Sequence, residues 1–121
     1  LSEKKKSFML MIEGSQIDWG GHDNDSEYVI SELLDFNKTI EVVLAYLEKN
    51  PNTLVVVTAD HETGGLALLD DENNQMVPHF STVHHSGIMV PVFAFGKGAN
   101  QFSGIYDNTE IFNKLSKAMG L

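Results

Sequence analysis

Cysteine is absent from the 121 residues. That excludes a disulfide framework, a thiolate zinc site and a cysteine nucleophile, so any metal here must be held by His and carboxylate. Arginine is absent too, since all eight basic residues are Lys. Phosphate is usually clamped by the planar guanidinium fork, so such a clamp must come from elsewhere. Positive charge is scarce against 17 Asp and Glu, and the net charge is −9. An acidic surface repels nucleic acid, which argues against a nucleic-acid partner. It admits a phosphate-bearing substrate only where bound cations reverse the field. No apolar run nears the roughly 20 residues of a membrane-spanning helix. The opening Leu1-Ser2-Glu3-Lys4-Lys5-Lys6 carries no signal-peptide pattern and does not begin with Met, which leads us to expect a processed or truncated product. Lys4 to Lys6 read as a solvated lead-in to a strand.

What is present suits one soluble globular domain over residues 1–121: 42% of residues are hydrophobic and 21% charged. Phe8-Met9-Leu10-Met11-Ile12 is an apolar run of strand length that stops at Glu13-Gly14. Ser15 to Asp25 is rich in Gly, Asp, Asn and Ser and predicts a loop. A helix is predicted over about 26–49, with Val29, Leu33, Phe36, Ile40, Val43 and Leu47 forming one stripe. Asn24 and Glu27 are spaced as its capping box, and Pro51 ends it. Leu54 to Ala59 is the strongest strand signal and runs into Asp60-His61-Glu62-Thr63-Gly64-Gly65. Leu66–Leu69 and Pro91–Phe95 predict further strands, with a polar turn over 70–75 and an irregular stretch over 79–87. A closing helix over about 109–119, capped by Asp107 and Glu110, should face Ile111, Phe112, Leu115 and Met119 inward. Strand, helix, strand in this order is a βαβ unit, which predicts an α/β fold with a mostly parallel sheet flanked by helices.

In such sheets ligands bind beyond the carboxyl ends of the strands. Glu13 lies at one such end, and Asp60 and His61 at another. Asp18 and His22 add a spacing able to grip one ion, and His84 or His85 offers a third imidazole. Carboxylates and imidazoles converging without thiolate match zinc or magnesium. Each residue also has a plainer reading. Glu13 could be solvated, Asp18 could close an Asx-turn and Asp60 could cap a helix or finish a strand. Trp19 suits packing as well as a substrate approach, and His79 suits the surface. Glu62 and Thr63 could orient His61. Helix capping explains Asp23-Asn24-Asp25 better than a calcium loop does.

Glu13-Gly14-Ser15-Gln16-Ile17-Asp18-Trp19-Gly20-Gly21-His22 resembles the E-G-x-x-I-D-x-x-x-H segment of alkaline phosphatases. Thr58-Ala59-Asp60-His61 is similar to their T-A-D-H segment, and His85-Ser86-Gly87 to their late H-[TS]-G segment. The three segments stand in the family's order. The resemblance implies a larger three-layer α/β/α fold, two zinc ions and one magnesium. It implies that Glu13 binds magnesium, that Asp18, His22 and His85 hold one zinc, and that Asp60 and His61 hold the other. It favours His85 over His84 because His85 directly precedes Ser86-Gly87. In the family, two zinc ions about 4 Å apart stabilise the attacking and leaving oxygens of an in-line displacement through a phosphoserine.

The departures are as informative. No Ser here sits in the family's D-S-A-x-[AS]-type nucleophile motif, and the phosphate-binding Arg is missing, so no residue of this chain is expected to be the catalytic nucleophile. We therefore expect a C-terminal fragment of a phosphomonoesterase, inactive alone and prone to self-association. Its implied partners are a phosphate-ester substrate and the missing N-terminal segment, in a homo-oligomeric parent that is periplasmic or secreted. The alternatives are a phosphodiesterase, a sulfatase-like enzyme or a phosphoglycerate mutase of the same superfamily, or a non-catalytic metal-binding module.

Overall fold

The computed structural model describes residues 8–121; the lead-in Lys4 to Lys6 lies outside them. Two α-helices, six short strands and a closing α-helix follow one another among these residues: α1 (Gln16–His22), α2 (Ser26–Lys49), β1 (Leu54–Thr58), β2 (Glu62–Thr63), β3 (Ala67–Asp70), β4 (Met76–His79), β5 (His85–Ser86), β6 (Val92–Gly96) and α3 (Glu110–Met119). A single 3-10 turn, Ala99–Phe102, precedes α3.

α2 forms where the apolar period predicts it. Its N-cap is Asp25, whose carboxylate accepts the Tyr28 amide at 3.0 Å, rather than the Asn24–Glu27 box. Asn24 cannot take that role because it adopts the left-handed conformation, φ 54°, in the link from α1. At the other end the Asn50 side chain donates to the Tyr46 carbonyl at 2.9 Å and closes the last turn before Pro51. Five of the six stripe residues are half-buried, and Leu33 stays exposed.

The α/β class stands, but the expected parallel pairing does not form. β1 pairs with β6 antiparallel, Leu54 opposite Gly96 and Thr58 opposite Val92. β2 pairs with β5 and β3 with β4, both antiparallel. Phe8–Ile12 belongs to no strand and is exposed along its length. The crossover rule concerns two strands that share a sheet. Here one edge of β1 is taken by β6, and no ladder joins Phe8–Ile12 to the other.

The core is thin. Among the described residues, Val55 on β1 (8% exposed) and Phe102 in the 3-10 turn (4%) are the buried hydrophobic side chains. α2 packs on β1, and the 3-10 turn packs between the β1–β6 ribbon and α3. Phe112 on α3 was expected to face inward but is 73% exposed. The accessible surface is 9330 Å², against about 6,500 Å² for a compact chain of this mass. Much apolar surface is therefore left open. No helix among the described residues is long and apolar enough to cross a membrane.

Because the Asp25 cap satisfies an otherwise orphaned amide, Asp25→Ala should cost about 1 kcal/mol of stability, and Asp25→Asn much less. Urea unfolding followed by circular dichroism checks both.

Candidate metal centre

The segment 15–25, expected as a loop, contains the helix α1. This places Asp18 and His22 at i and i+4 on one face, with His22 Nε2 3.5 Å from Asp18 Oδ2. The two glycines between them are there for close approach. A Cβ on Gly20 would fall 2.9 Å from the Val29 amide of α2, and one on Gly21 would fall 2.9 Å from Cβ of Thr63. α1 is thereby pressed against both α2 and β2.

The second arm comes from the turn after β2. Gly64 and Gly65 both have positive φ, 88° and 57°. A Cβ on Gly65 would collide with Ser81 Oγ at 2.0 Å. That tight turn lets the Gly64 amide donate to the His84 carbonyl, while the Gly64 carbonyl accepts from Ser81 and Thr82. The returning strand β5 then sets His85 opposite Thr63.

The result is a three-residue cluster. One ligand atom each from Asp18, His22 and His85 lies within 4.8 Å of the others. His85 Nε2 is 3.2 Å from His22 Nε2 and 3.6 Å from Asp18 Oδ1. His22 Nδ1 is 2.7 Å from the Val83 carbonyl. A carbonyl only accepts, so Nδ1 carries the hydrogen and the Nε2 lone pair turns toward the cluster. A backbone carbonyl that fixes the tautomer of an imidazole is a common support behind a metal ligand.

His61 lies alongside. Its ring stacks on His85 with centroids 3.5 Å apart and planes 20° apart. Its Nε2 is 3.4 Å from Asp60 Oδ2, and Asp60 itself is 89% exposed. Thr63 Oγ1 is hydrogen-bonded to Asp18 Oδ1 and lies 3.3 Å from His61 Nδ1. Five of the six residues singled out from the sequence thus meet in one region. Glu13, exposed just before α1, is not in the cluster, and neither are His84 and His79. Trp19 points to solvent. The cluster is open rather than enclosed, and two shallow concavities elsewhere, against α3 and at the end of α2, contain none of its residues.

Glu62 braces the turn rather than His61. Its carboxylate accepts from the amides of Gly65 (3.1 Å) and Leu66 (3.0 Å) and from the Ser86 hydroxyl. Burial works against its ionisation, but the Ser86, Leu66 and Gly65 hydrogen bonds and the nearby His61 outweigh it and hold the pKa below the ordinary value. Neither Glu62 nor Ser86 was foreseen in this role; the acid ahead of a Gly-Gly pair was the available signal.

Known proteins resemble this chain in sequence and fold. A family model described as alkaline phosphatase matches residues 1–80. Alkaline phosphatase 4 of Bacillus subtilis (strain 168) is 34% identical over 98% of the chain, which covers 26% of that protein. A mutant of TAB5 alkaline phosphatase solved with Mg bound in its M3 site superposes with a TM-score of 0.82 at 48% identity, over 89% of this chain and 34% of its own. A cold-active alkaline phosphatase from the psychrophile Shewanella sp. gives 0.90 at 28% identity, over 98% and 47%. The fold is therefore that of an α/β part of these relatives, and the chain spans between about a quarter and a half of their length.

The Glu62 brace is tied to pH. A depressed folded pKa gives stability that is complete above the unfolded value, near 4.5, and lost as pH falls through the folded value. Glu62→Gln should therefore have a lower urea midpoint than the parent chain at pH 7, and the gap should close on acidification below pH 4.5.

Proposed function

The chain belongs to the alkaline phosphatase family, and from that premise we propose that it supplies the metal-holding part of a phosphomonoesterase. The observation that carries the reading is the convergence of Asp18, His22 and His85. Their donor set, two imidazoles and one carboxylate without thiolate, is that of a catalytic zinc site with a position left open for substrate. The ligand atoms lie within 4.8 Å of one another, and the spacings of 3.2 Å between the His22 and His85 Nε2 atoms and 3.5 Å from His22 Nε2 to Asp18 Oδ2 are close to the edge of a tetrahedron, about 3.4 Å, built from the usual zinc bond lengths.

Asp60 and His61 offer a second pair of ligands beside the first, 3.4 Å apart and linked to it by the His61–His85 stack. Glu13 is the proposed magnesium ligand. Bound divalent cations supply Lewis-acid stabilisation of the oxygens around phosphorus. The chain's own residues do the holding. Asp18 contributes negative charge, Val83 keeps the His22 Nε2 lone pair forward, and β5 delivers His85. With a net charge of −9, the surface depends on those cations to accept an anionic ester.

The nucleophilic serine and the phosphate-binding arginine would come from the remainder of a longer enzyme, of which residues 1–121 form one α/β part. That remainder would also cover Phe8–Ile12 and the open faces of the sheet. Family membership supports a periplasmic or secreted setting.

Zinc titration of the metal-free chain by calorimetry tests the reading. One tight site is expected, weakened at least about 100-fold by His85→Ala, since loss of a direct ligand should exceed the loss from a supporting group. His84→Ala should leave it unchanged. Equal loss in both variants would overturn the ligand assignment, and absence of specific binding by a folded chain would overturn the zinc reading.

A further inference from the structure

Building on the zinc reading above, we propose that Thr63 is a positioning residue whose single hydroxyl couples the two groups of metal ligands. Its Oγ1 touches one carboxylate oxygen of Asp18 and lies 3.3 Å from His61 Nδ1. Asp18 belongs to the first group and His61 to the second.

A hydroxyl has one hydrogen to give and lone pairs to receive. An ionised carboxylate only accepts, so the Thr63 hydrogen goes to Asp18 Oδ1. The hydroxyl oxygen then accepts from His61 Nδ1–H. Two consequences follow from this order. Asp18 Oδ1, 3.6 Å from His85 Nε2, carries that hydrogen bond, which leaves Oδ2, the oxygen 3.5 Å from His22 Nε2, as the freer ligand atom. His61 is held as the Nδ1–H tautomer, which puts its lone pair on Nε2, facing Asp60 Oδ2 at 3.4 Å. Two acceptors that face each other at that distance are satisfied by a cation between them.

The hydroxyl is aimed by the rest of the residue. The β2–β5 ladder fixes the Thr63 backbone opposite His85. Its Cγ2 methyl sits where a Cβ on Gly21 would be only 3.0 Å away. A β-branched side chain held by its methyl has little χ1 freedom. Serine would keep the hydroxyl and lose the aim; valine would keep the shape and lose both hydrogen bonds.

The test compares two pairs of chains that differ by the hydroxyl: wild type with Thr63→Val, and Thr63→Ser with Thr63→Ala. Zinc affinity is read by calorimetry. The His61 tautomer is read in the metal-free chain from the ring nitrogen shifts by NMR at mildly alkaline pH. Losing the hydroxyl should weaken zinc binding by about 10-fold or more in each pair and shift His61 away from the Nδ1–H tautomer, with Ser closer to wild type than Ala. If Val binds zinc as wild type does and the tautomer is unmoved, the coupling role is wrong. Should Val fail to fold, the Ser–Ala comparison decides in the same way. If wild type binds no zinc, the zinc reading fails, while the tautomer comparison still decides whether the hydroxyl acts on His61.

Discussion

The contact between Gly21 of α1 and Thr63 of β2 sets how closely the two arms of the site can approach. A single added methyl at position 21 would fall within 3.0 Å of Thr63 side-chain and backbone atoms. α1 carries Asp18 and His22, and β2 faces β5, which carries His85. The close approach of this glycine to this threonine limits how far apart the arms can sit. The Gly64–Gly65 turn acts in the same direction from the other side. Its positive φ angles and its bonds to residues 81–84 bring the Val83 carbonyl and His85 back to α1. Four glycines, at 20, 21, 64 and 65, are buried where buried hydrophobic side chains are few. The buried glycines thus lie beside the polar centre, whose own side chains stay partly open to solvent.

That inversion bears on stability. With apolar surface left open on the sheet and helices, hydrophobic burial contributes less here than in a self-sufficient domain of equal length. Hydrogen bonds around the turn and α1 are correspondingly prominent. Glu62 serves three donors at once, and Asp25 and Asn50 close the two ends of α2.

The sequence made α2 and β1 legible because their signals are periodic and long. The candidate metal ligands were visible through type and spacing, and the structure brings Asp18, His22, Asp60, His61 and His85 together. α1 was not legible. Its composition is that of a loop, and helix propensity is poor at Gly20 and Gly21; tertiary contact with α2 and β2 overrides propensity there. The parallel sheet was inferred from element order, which says which strands could pair but not which do. The cap moved by one residue because Asn24 is needed in the left-handed link between α1 and α2. Phe112 fits the apolar period of α3, yet periodicity marks a face without saying what covers it. The bracing by Glu62 and the double contact of Thr63 depend on a turn geometry that no spacing rule describes.

His22 and His85 are 63 positions apart and their ring nitrogens are 3.2 Å apart. An ion gripped by both would tie the chain into a closed loop, as a disulfide does in an oxidised protein. By the chain-entropy relation for such loops, that restriction of the unfolded ensemble is worth about 4 kcal/mol. A polypeptide without a single cysteine would thereby acquire a reversible staple, closed by loading the metal and opened by a chelator.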